Sequence, residues 1–268
     1  MLEVSASGFY GWLKNPDGKR GIEDEDLCEE IRTIFNDSRG SYGNRRVRRA
    51  LRKIKRHCSR DRIRRLMRKL GLLPKRRRRC RITTNSKHGF DIHPNLLKRD
   101  FKVLGPDQVW VSDITYIWTD EGWLFLATVI DLFSRKVVGW SMSESLSRQI
   151  ALDALEMAIS ARNPSPGLTH HSDRGVQYAC NDYQKLIQQA GMRPSMSRKG
   201  NCWDNSVAES FFSTLKKELI WRIKLETRDQ ARRDVFEFVE VFYNRQRMHS
   251  YLGYMSPVEF ETAATKAA

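Results

Sequence analysis

The stretch QVWVSDITYIW, residues 108–118, alternates along its length and is rich in valine, isoleucine, threonine, tyrosine and tryptophan. This composition and its period of two are typical of a β-strand. Asp113 stands in the middle of the strand, where an isolated buried charge costs several kcal/mol. A carboxylate at this position is therefore paired, hydrated or bound to a metal ion. Taken alone, a salt-bridged or edge-facing aspartate is the simpler interpretation.

The chain after this strand predicts an α/β domain. Residues 123–132 and 134–141 are two further β-like runs, and three strands in close succession indicate an antiparallel meander. The later elements alternate in type: a helix at 149–161, a strand at 167–171, a helix at 182–190, a strand at 193–197 and a long helix from about Asn205. Strands interspersed with amphipathic helices predict a mixed sheet flanked by helices.

The chain before the strand predicts a small all-α region. Residues 23–36 carry apolar side chains at helical spacing, and two shorter arginine-rich helices follow, the second capped by Ser59. Two short helices joined by a tight turn are typical of a helix-turn-helix. The predicted organisation is a loose lead-in at 1–22, a helix-turn-helix-like DNA-binding domain at 23–74, a basic linker at 75–100, a catalytic core at 101–224 and a helical extension at 225–268.

The charge of the chain is concentrated in one segment. The formal net charge is +16, and residues 41–81 hold 20 basic side chains with one acid, Asp61. The rest of the chain is nearly neutral. Because like charges at this density repel one another, we expect a polyanion to supply the counter-charge, and the phosphate backbone of a nucleic acid fits that role. The alternative is an ordinary solvated helix surface.

Other patterns exclude several classes of protein. The five cysteines are scattered and never form a Cys-x-x-Cys pair, so neither a disulfide framework nor a zinc cluster is indicated. The longest apolar run, at 123–130, is much shorter than the ~18 residues that span a bilayer. The N-terminus lacks the pattern of a secretory signal. We expect a cytoplasmic protein that is not associated with a membrane.

Two further acids follow Asp113 at informative positions. Asp173 lies just after a short strand and before a glycine-containing turn, and Glu209 lies on the predicted late helix, with Asn205 one turn before it and Lys216 two turns after it. Each has a simple alternative: turn aspartates often serve local hydrogen bonds, and Glu209 or Lys216 could be solvated at the rim of a helix. For Lys216, the alternative is an ion pair with a neighbour such as Glu218.

Two histidines precede Asp173 in the same short strand. His170 and His171 are adjacent, so only one of them faces a given side of the sheet. A place in the core is therefore the expected role for either residue, in preference to a metal ligand.

Taken together, the acids and their surroundings resemble a known family. Thirty-five residues separate Asp173 from Glu209, and a lysine follows seven residues later, as in DDE transposases with a retroviral-integrase-like core. The blocks VWVSDITY (109–116), HSDRG (171–175), DNSVAESFFSTLK (204–216) and RMHSYLG (247–253) are similar to the second-reading-frame product of bacterial insertion-sequence transposases in the family numbered three. The likeness extends over nearly the whole chain.

The resemblance implies a fold, a reaction and a cofactor. It implies an RNase-H-like core in which Asp113, Asp173 and Glu209 are the catalytic and metal-ligating residues, with no covalent protein nucleophile. Three carboxylates around one point need cations, and hard oxygen ligands select Mg²⁺ or Mn²⁺, with two ions expected per site. The expected DNA contacts are Arg45, Arg46, Arg48, Arg49, Arg62, Arg64, Arg65, Lys75, Arg76, Arg77, Lys216 and Asn205.

The resemblance also implies a location and partners. The location is the bacterial cytoplasm, in association with the nucleoid. Members of the family usually act as a frameshift fusion to an upstream frame that carries a helix-turn-helix and a leucine zipper, and this chain has no heptad repeat. We therefore expect it to need that upstream segment, fused or associated, and to form homo-oligomers on DNA. The rival hypotheses are a metal-dependent nuclease without strand transfer and a DNA-binding regulator with a vestigial acid cluster.

Overall fold

The chain is organised as two compact units, residues 1–76 and 77–268, and each is described by itself. The computed structural model describes residues 5–14, 18–74, 90–198 and 202–267. The predicted contacts Lys75, Arg76 and Arg77 lie outside the described residues. None of the described helices is long and apolar enough to cross a bilayer.

The first unit is helical. Its described elements are α1 (Ala6–Lys14), α2 (Gly18–Asp37), α3 (Asn44–Lys53) and α4 (Arg60–Lys69). The apolar side chains that the sequence placed at helical spacing form its core, with Ile31, Val47, Leu51, Ile63 and Leu66 fully buried. The side chain of Ser59 accepts a hydrogen bond from the Arg62 backbone N–H at 3.2 Å, so the predicted N-cap of α4 is confirmed.

The prediction of a loose lead-in at 1–22 is wrong. The first described residues include helix α1, and α2 begins at Gly18, five residues earlier than predicted. A glycine in a helix costs only ~1 kcal/mol relative to alanine, which is too little for Gly8 and Gly11 to break α1. The Ser5 hydroxyl also accepts a hydrogen bond from the Gly8 N–H at 3.2 Å, close to the helix start.

The second unit contains the mixed sheet that the sequence predicted. Within the described residues the sheet has five strands in the order β3-β2-β1-β4-β5. The strands are β1 (Val109–Thr119), β2 (Gly122–Asp131), β3 (Val137–Ser143), β4 (Thr169–Ser172) and β5 (Arg193–Met196). The first three form the expected antiparallel meander, whereas β4 and β5 join β1 in parallel. The third strand begins at Val137 and not at Ser134, whose hydroxyl donates to Asp131 in the preceding turn.

Helices cover both faces of the sheet. One face packs on α5 (Arg148–Arg162) and α7 (Asn181–Gln189), and the short helix α6 (Val176–Ala179) was not predicted. The other face packs on α8 (Ser206–Leu215) and α9 (Arg228–Phe236), which continue as the π-helical segments Lys216–Ile220 and Glu237–Gln246. The last described helix is α10 (Pro257–Ala267). Strand β1 thus lies in the middle of the sheet with a helical layer on each side.

The close approach of β3 and α5 gives a testable prediction. A Cβ atom at Gly139 would collide with the Ala154 carbonyl oxygen and would lie 2.7 Å from the Ala158 Cβ. We expect Gly139→Ala to lower the free energy of unfolding by about 1–3 kcal/mol, because backbone or helix must shift. Chemical denaturation measures this effect. Gly105→Ala is the control, since its Cβ would meet only the flexible Gln108 side chain, and equal losses in the two variants would contradict the prediction.

Candidate active site

Asp113 lies near the centre of the sheet, on the face covered by α8. It pairs across β1 and β2 with Thr128, and its Oδ1 accepts a hydrogen bond from the Ile114 N–H at 2.8 Å. The preceding residue, Ser112, is the register partner of Ser172 on β4. Asp113 therefore lies next to the end of β4, where the chain turns into Asp173.

The turn after β4 holds Asp173 in place. Its Oδ1 accepts the Gly175 N–H at 2.8 Å, and the residue is partly buried. A Cβ on Gly175 would lie 3.0 Å from the same oxygen, so a side chain there would press on the carboxylate. The turn thus needs Asp173 for a local bond, as the simpler interpretation supposed, and it also carries the carboxylate to the end of β4 beside Asp113.

Glu209 approaches from the first turn of α8. The helix packs against β1 through Ala208, Phe211, Phe212 and Leu215, all buried, which leaves Glu209 exposed at the margin. At the helix start, Asn205 Nδ2 donates a hydrogen bond to the Ser112 carbonyl oxygen at 3.1 Å. This bond ties the base of α8 to the residue that precedes Asp113.

The three acids share one electrostatic field. Loss of water around the Asp113 carboxyl group raises its pKa well above the usual range, and the charge of Asp173 and then of Glu209 raises it further. The ammonium group of Lys216 acts in the opposite direction. In the part of the chain that the structure describes, no three His, Cys, Asp or Glu side chains are gathered tightly enough to hold a metal ion as they stand. Carboxylates that repel one another in this way gain from a cation between them.

The lysine two turns after Glu209 is available to the site. Lys216 is half-buried and contributes to the field at Asp113. The alternative partner, Glu218, is committed elsewhere: Arg247 donates to it from Nε at 2.7 Å and from Nη2 at 2.8 Å. An ion pair between Lys216 and Glu218 is therefore not what holds the lysine.

Comparison with known proteins places this site in a family. Residues 104–202 and 209–264 both match the integrase core domain, and residues 22–79 match an HTH-like domain. The chain is 43% identical to the insertion element IS600 uncharacterized 31 kDa protein of Shigella sonnei, over 97% of this chain and 96% of that protein. It is 40% identical to the transposase InsF for insertion sequence IS3A of Escherichia coli (strain K12), over 97% of this chain and 91% of that one.

The chain belongs to the IS3-type insertion-sequence transposases. A solved structure agrees on the fold: the simian T-cell lymphotropic virus intasome, in complex with PP2A regulatory subunit B56 gamma, matches with a TM-score of 0.50 and 17% identity, over 66% of this chain and 60% of that chain. The predicted RNase-H-like integrase core, the HTH-like helical domain and the family resemblance are confirmed. The family supports an enzyme of the polynucleotidyl-transferase type.

Both histidines of the transposase core take structural roles. The rings form hydrogen bonds inside the sheet layer, His170 with the Ser112 and Tyr183 hydroxyls at 2.9 and 3.1 Å and His171 with Ser195 and Ser197 at 2.9 and 3.0 Å. Both rings are fully or almost fully buried. Burial, reinforced by the neighbouring His171, lowers the pKa of His170 to about 3, so the ring is neutral. The expectation of a core role is met for both residues.

The neutral His170 predicts acid sensitivity. Below pH ~6.5 the unfolded chain binds a proton at this histidine, whereas the folded chain binds it only near pH 3. The free energy of unfolding therefore falls as the pH is lowered through this window. The expected slope is ~1.4 kcal/mol per pH unit. Urea denaturation at pH 7, 6 and 5 should show a shallower decline for His170→Gln than for the wild type or for His93→Gln. Parallel declines in all three proteins would contradict the prediction.

Asn205 is not placed as the sequence suggested. The residue is 5% exposed, its Nδ2 is bonded to Ser112, and its Oδ1 is buried without a hydrogen-bond partner in the described structure. This placement argues against the predicted DNA contact, since Oδ1 is enclosed and Nδ2 already donates to the protein. Its side chain instead connects α8 to β1.

The arginines of the helical unit divide into two groups. Arg62 and Arg65 both donate to Asp24 of α2, at 2.7 and 2.6 Å, and Arg56 pairs with Glu30. The protein itself therefore supplies part of the counter-charge that the sequence analysis assigned to nucleic acid. Among the other predicted contacts, Arg45, Arg49 and Arg64 are exposed and Arg46 and Arg48 are partly exposed.

One functional candidate was not singled out by the sequence analysis. Asp204 is completely buried just before α8 and accepts hydrogen bonds from Asn95, Arg99 and Arg198. Local pattern does not reveal this carboxylate, because two of its partners, Asn95 and Arg99, lie 109 and 105 residues away along the chain. The only sequence signal was its position directly before Asn205 in the block that carries Glu209.

Proposed function

We propose that the chain is a DDE transposase that cleaves DNA at transposon ends and transfers a 3′-hydroxyl strand to target DNA. The observation that carries the proposal is the field at Asp113, to which Asp173 and Glu209 both contribute although they come from a separate strand end and a separate helix. An acid such as Asp113, whose pKa is raised by loss of water and by neighbouring charges, is a candidate for a functional site. Membership of the transposase family supports the same reaction class.

The proposed site takes a divalent cation. The donors of Asp113, Asp173 and Glu209 are hard oxygen atoms, which suit Mg²⁺ or Mn²⁺, and the repulsion among the three carboxylates favours cation binding. Two such ions, held by these three carboxylates, would supply Lewis acidity for activating an attacking water or 3′-hydroxyl and for stabilising the leaving oxygen. The fit rests on donor chemistry and charge.

The remaining side chains of the site bind and orient the substrate. Lys216 places a positive charge beside the acids, and we assign it to a DNA phosphate or base. Sheet, turn and helix hold the carboxylates on rigid elements, which keeps the reacting groups aligned. No covalent protein nucleophile is needed, because the attacking group is an oxygen of water or DNA.

The helical unit binds DNA in this proposal. Its exposed and partly exposed arginines on α3 and α4 contact phosphates, while Arg62 and Arg65 are shared with Asp24. Phosphate contacts of this kind make binding strongly dependent on salt. The proposed partners are transposon ends, target DNA, further copies of the chain on DNA and an upstream-frame segment, fused or associated.

A joining assay tests the proposal. Purified protein, with the upstream-frame segment supplied, is incubated with labelled duplexes that carry the element ends and with plasmid target in Mg²⁺ or Mn²⁺. The expected result is both cleaved ends and labelled strands joined to the plasmid. Cleavage without joined product would favour a nuclease, and specific binding without either reaction would favour a regulator. Efficient end-specific joining by residues 1–268 alone would overturn the need for the upstream segment.

A further inference from the structure

The base of helix α8 is held by an ionic cluster around one buried aspartate, which the proposed reaction does not use directly. At its centre is Asp204, which is 0% exposed. Arg198 donates to its carboxylate from the backbone N–H at 3.0 Å, from Nε at 3.0 Å and from Nη2 at 2.9 Å. Arg99 adds a bond from Nε at 3.0 Å, and Asn95 adds one from Nδ2 at 2.9 Å. We call Asp204, Arg198, Arg99 and Asn95 the Asp204 cluster.

The Asp204 cluster connects segments that are distant in the sequence. Arg198 follows strand β5, whereas Asn95 and Arg99 belong to the chain that precedes the sheet. Asp204 itself lies in the short 3₁₀ turn Cys202–Asn205, directly before α8. The cluster therefore fixes the start of the helix to two other parts of the same unit.

The next residue, Asn205, adds a second attachment, to strand β1. Asn205 donates to the Ser112 carbonyl oxygen at 3.1 Å, and Ser112 immediately precedes Asp113. Asp204 and Asn205 together thus hold the first turn of α8, which contains Glu209, in a fixed relation to the strand that carries Asp113. A helix that is anchored only by its apolar face could slide or rotate. Hydrogen bonds from its first residues to several other parts of the unit specify one position.

The charge of Asp204 suits an anchor and not a reacting group. The hydrogen bonds from Arg198 have the largest effect on the pKa of the Asp204 carboxyl group and, with the bond from Arg99, hold it well below its usual range. Burial acts in the opposite direction. The carboxylate is fully engaged with its partners, and it is separate from the three acids that interact at Asp113. Its removal would leave Arg198 and Arg99 without their buried counter-charge.

We infer that Asp204 is a positioning residue for the acid cluster: through the Asp204 cluster and Asn205 it sets where Glu209 stands relative to Asp113. The inference rests on the proposed function for its catalytic consequence. Its direct consequence concerns cation binding, because ligands from α8 and β1 bind one ion well only if the two elements are held in register.

The test compares Asp204→Asn with a matched control. Asp107→Asn also breaks an arginine–carboxylate pair of the core, with Arg162 at 2.7 Å. Asp107 lies before the N-terminal end of β1, whereas Asn205 is bonded to Ser112 within the strand. Mn²⁺ binding is measured by electron paramagnetic resonance, joining by gel assay and stability by urea denaturation. We expect Asp204→Asn to weaken Mn²⁺ binding about tenfold and to lower the joining rate ~10²-fold, with DNA affinity unchanged within about twofold. Asp107→Asn should change stability without changing Mn²⁺ affinity.

The outcomes are distinguishable. Unchanged Mn²⁺ affinity in a folded Asp204→Asn protein, or an equal loss in Asp107→Asn, would overturn the inference. If Asp204→Asn does not fold, Arg198→Gln replaces it: the Arg198 side chain is 55% exposed, Arg99 and Asn95 remain, and a several-fold loss of Mn²⁺ affinity is expected. A wild-type protein that binds Mn²⁺ but joins no DNA would contradict the proposed function alone, and the Mn²⁺ comparison would still decide the role of Asp204.

Discussion

Asp113→Asn will lower DNA cleavage and joining by at least ~10³-fold while duplex binding stays within about twofold. A cation clamp contributes several kcal/mol to a phosphoryl-transfer transition state, and each 1.4 kcal/mol corresponds to about tenfold in rate. Asparagine keeps the size of the side chain and one oxygen but removes the charge. Asp173→Asn and Glu209→Gln should have the same effect, because the three carboxylates form one electrostatic unit. Gel assays of end cleavage and joining, beside filter binding, measure both quantities.

Glu226→Gln provides the control for this series, since Glu226 is an exposed carboxylate that pairs only loosely with Lys224 at 3.9 Å. Its activity should match the wild type. Full joining activity in any one of the three site variants would remove that residue from the catalytic set. Activity in all three would support the regulator hypothesis.

Glu218→Gln will destabilise the core by about 3–5 kcal/mol. Arg247 and Glu218 form a bidentate ion pair whose side chains are only 6% and 9% exposed, so removal of one charge leaves the other buried without this counter-charge. The pair joins the π-helical segment after α8 to the RMHSYLG block. His249 belongs to the same structural unit: its ring lies edge-on to Tyr243 at 4.8 Å, and its backbone bridges to Met255. Urea denaturation of the purified core at pH 7 measures the loss.

A double replacement serves as the control for the ion pair. Glu218→Leu combined with Arg247→Met removes both charges and keeps an apolar volume, so it should recover most of the stability that either single change loses. If the single variants were as stable as the wild type, the pair would contribute no more to the free energy of unfolding than a typical exposed ion pair. Equal destabilisation in the single and double variants would instead assign the effect to packing.

Local patterns predicted most of the elements because their causes are local. The alternation in residues 108–118 reports a strand with two different faces, and the Ser59 hydroxyl reports the start of a helix within three residues of itself. Helix α1 was not predicted, although the two glycines within it, Gly8 and Gly11, cost a helix little free energy. The strand order β3-β2-β1-β4-β5 could not be predicted from local patterns, because no residue near β4 indicates that this strand pairs with β1.

The candidate site divides in the same way. A carboxylate inside an apolar strand is anomalous on its face, so Asp113 could be found from sequence, and the family blocks pointed to Asp173 and Glu209. The partners of Arg62 and Asn205 could not be found, because they lie 38 and 93 residues away. The same holds for two partners of Asp204, which lie 109 and 105 residues away. Hydrogen bonds and ion pairs at such separations depend on where the chain returns, and no local periodicity encodes that return.

The sequence by itself determined the type and order of the main elements and the basic segment at 41–81, which follow from spacing and composition, and its resemblance to a family singled out three acids as the predicted site. Only the tertiary structure decided which arginines are neutralised by Asp24, that Asn205 faces Ser112 and that a buried aspartate anchors the helix of Glu209. The physical reason is that these contacts join parts of the chain that only folding brings together, and that a charge taken out of water is costly unless its partners are in place.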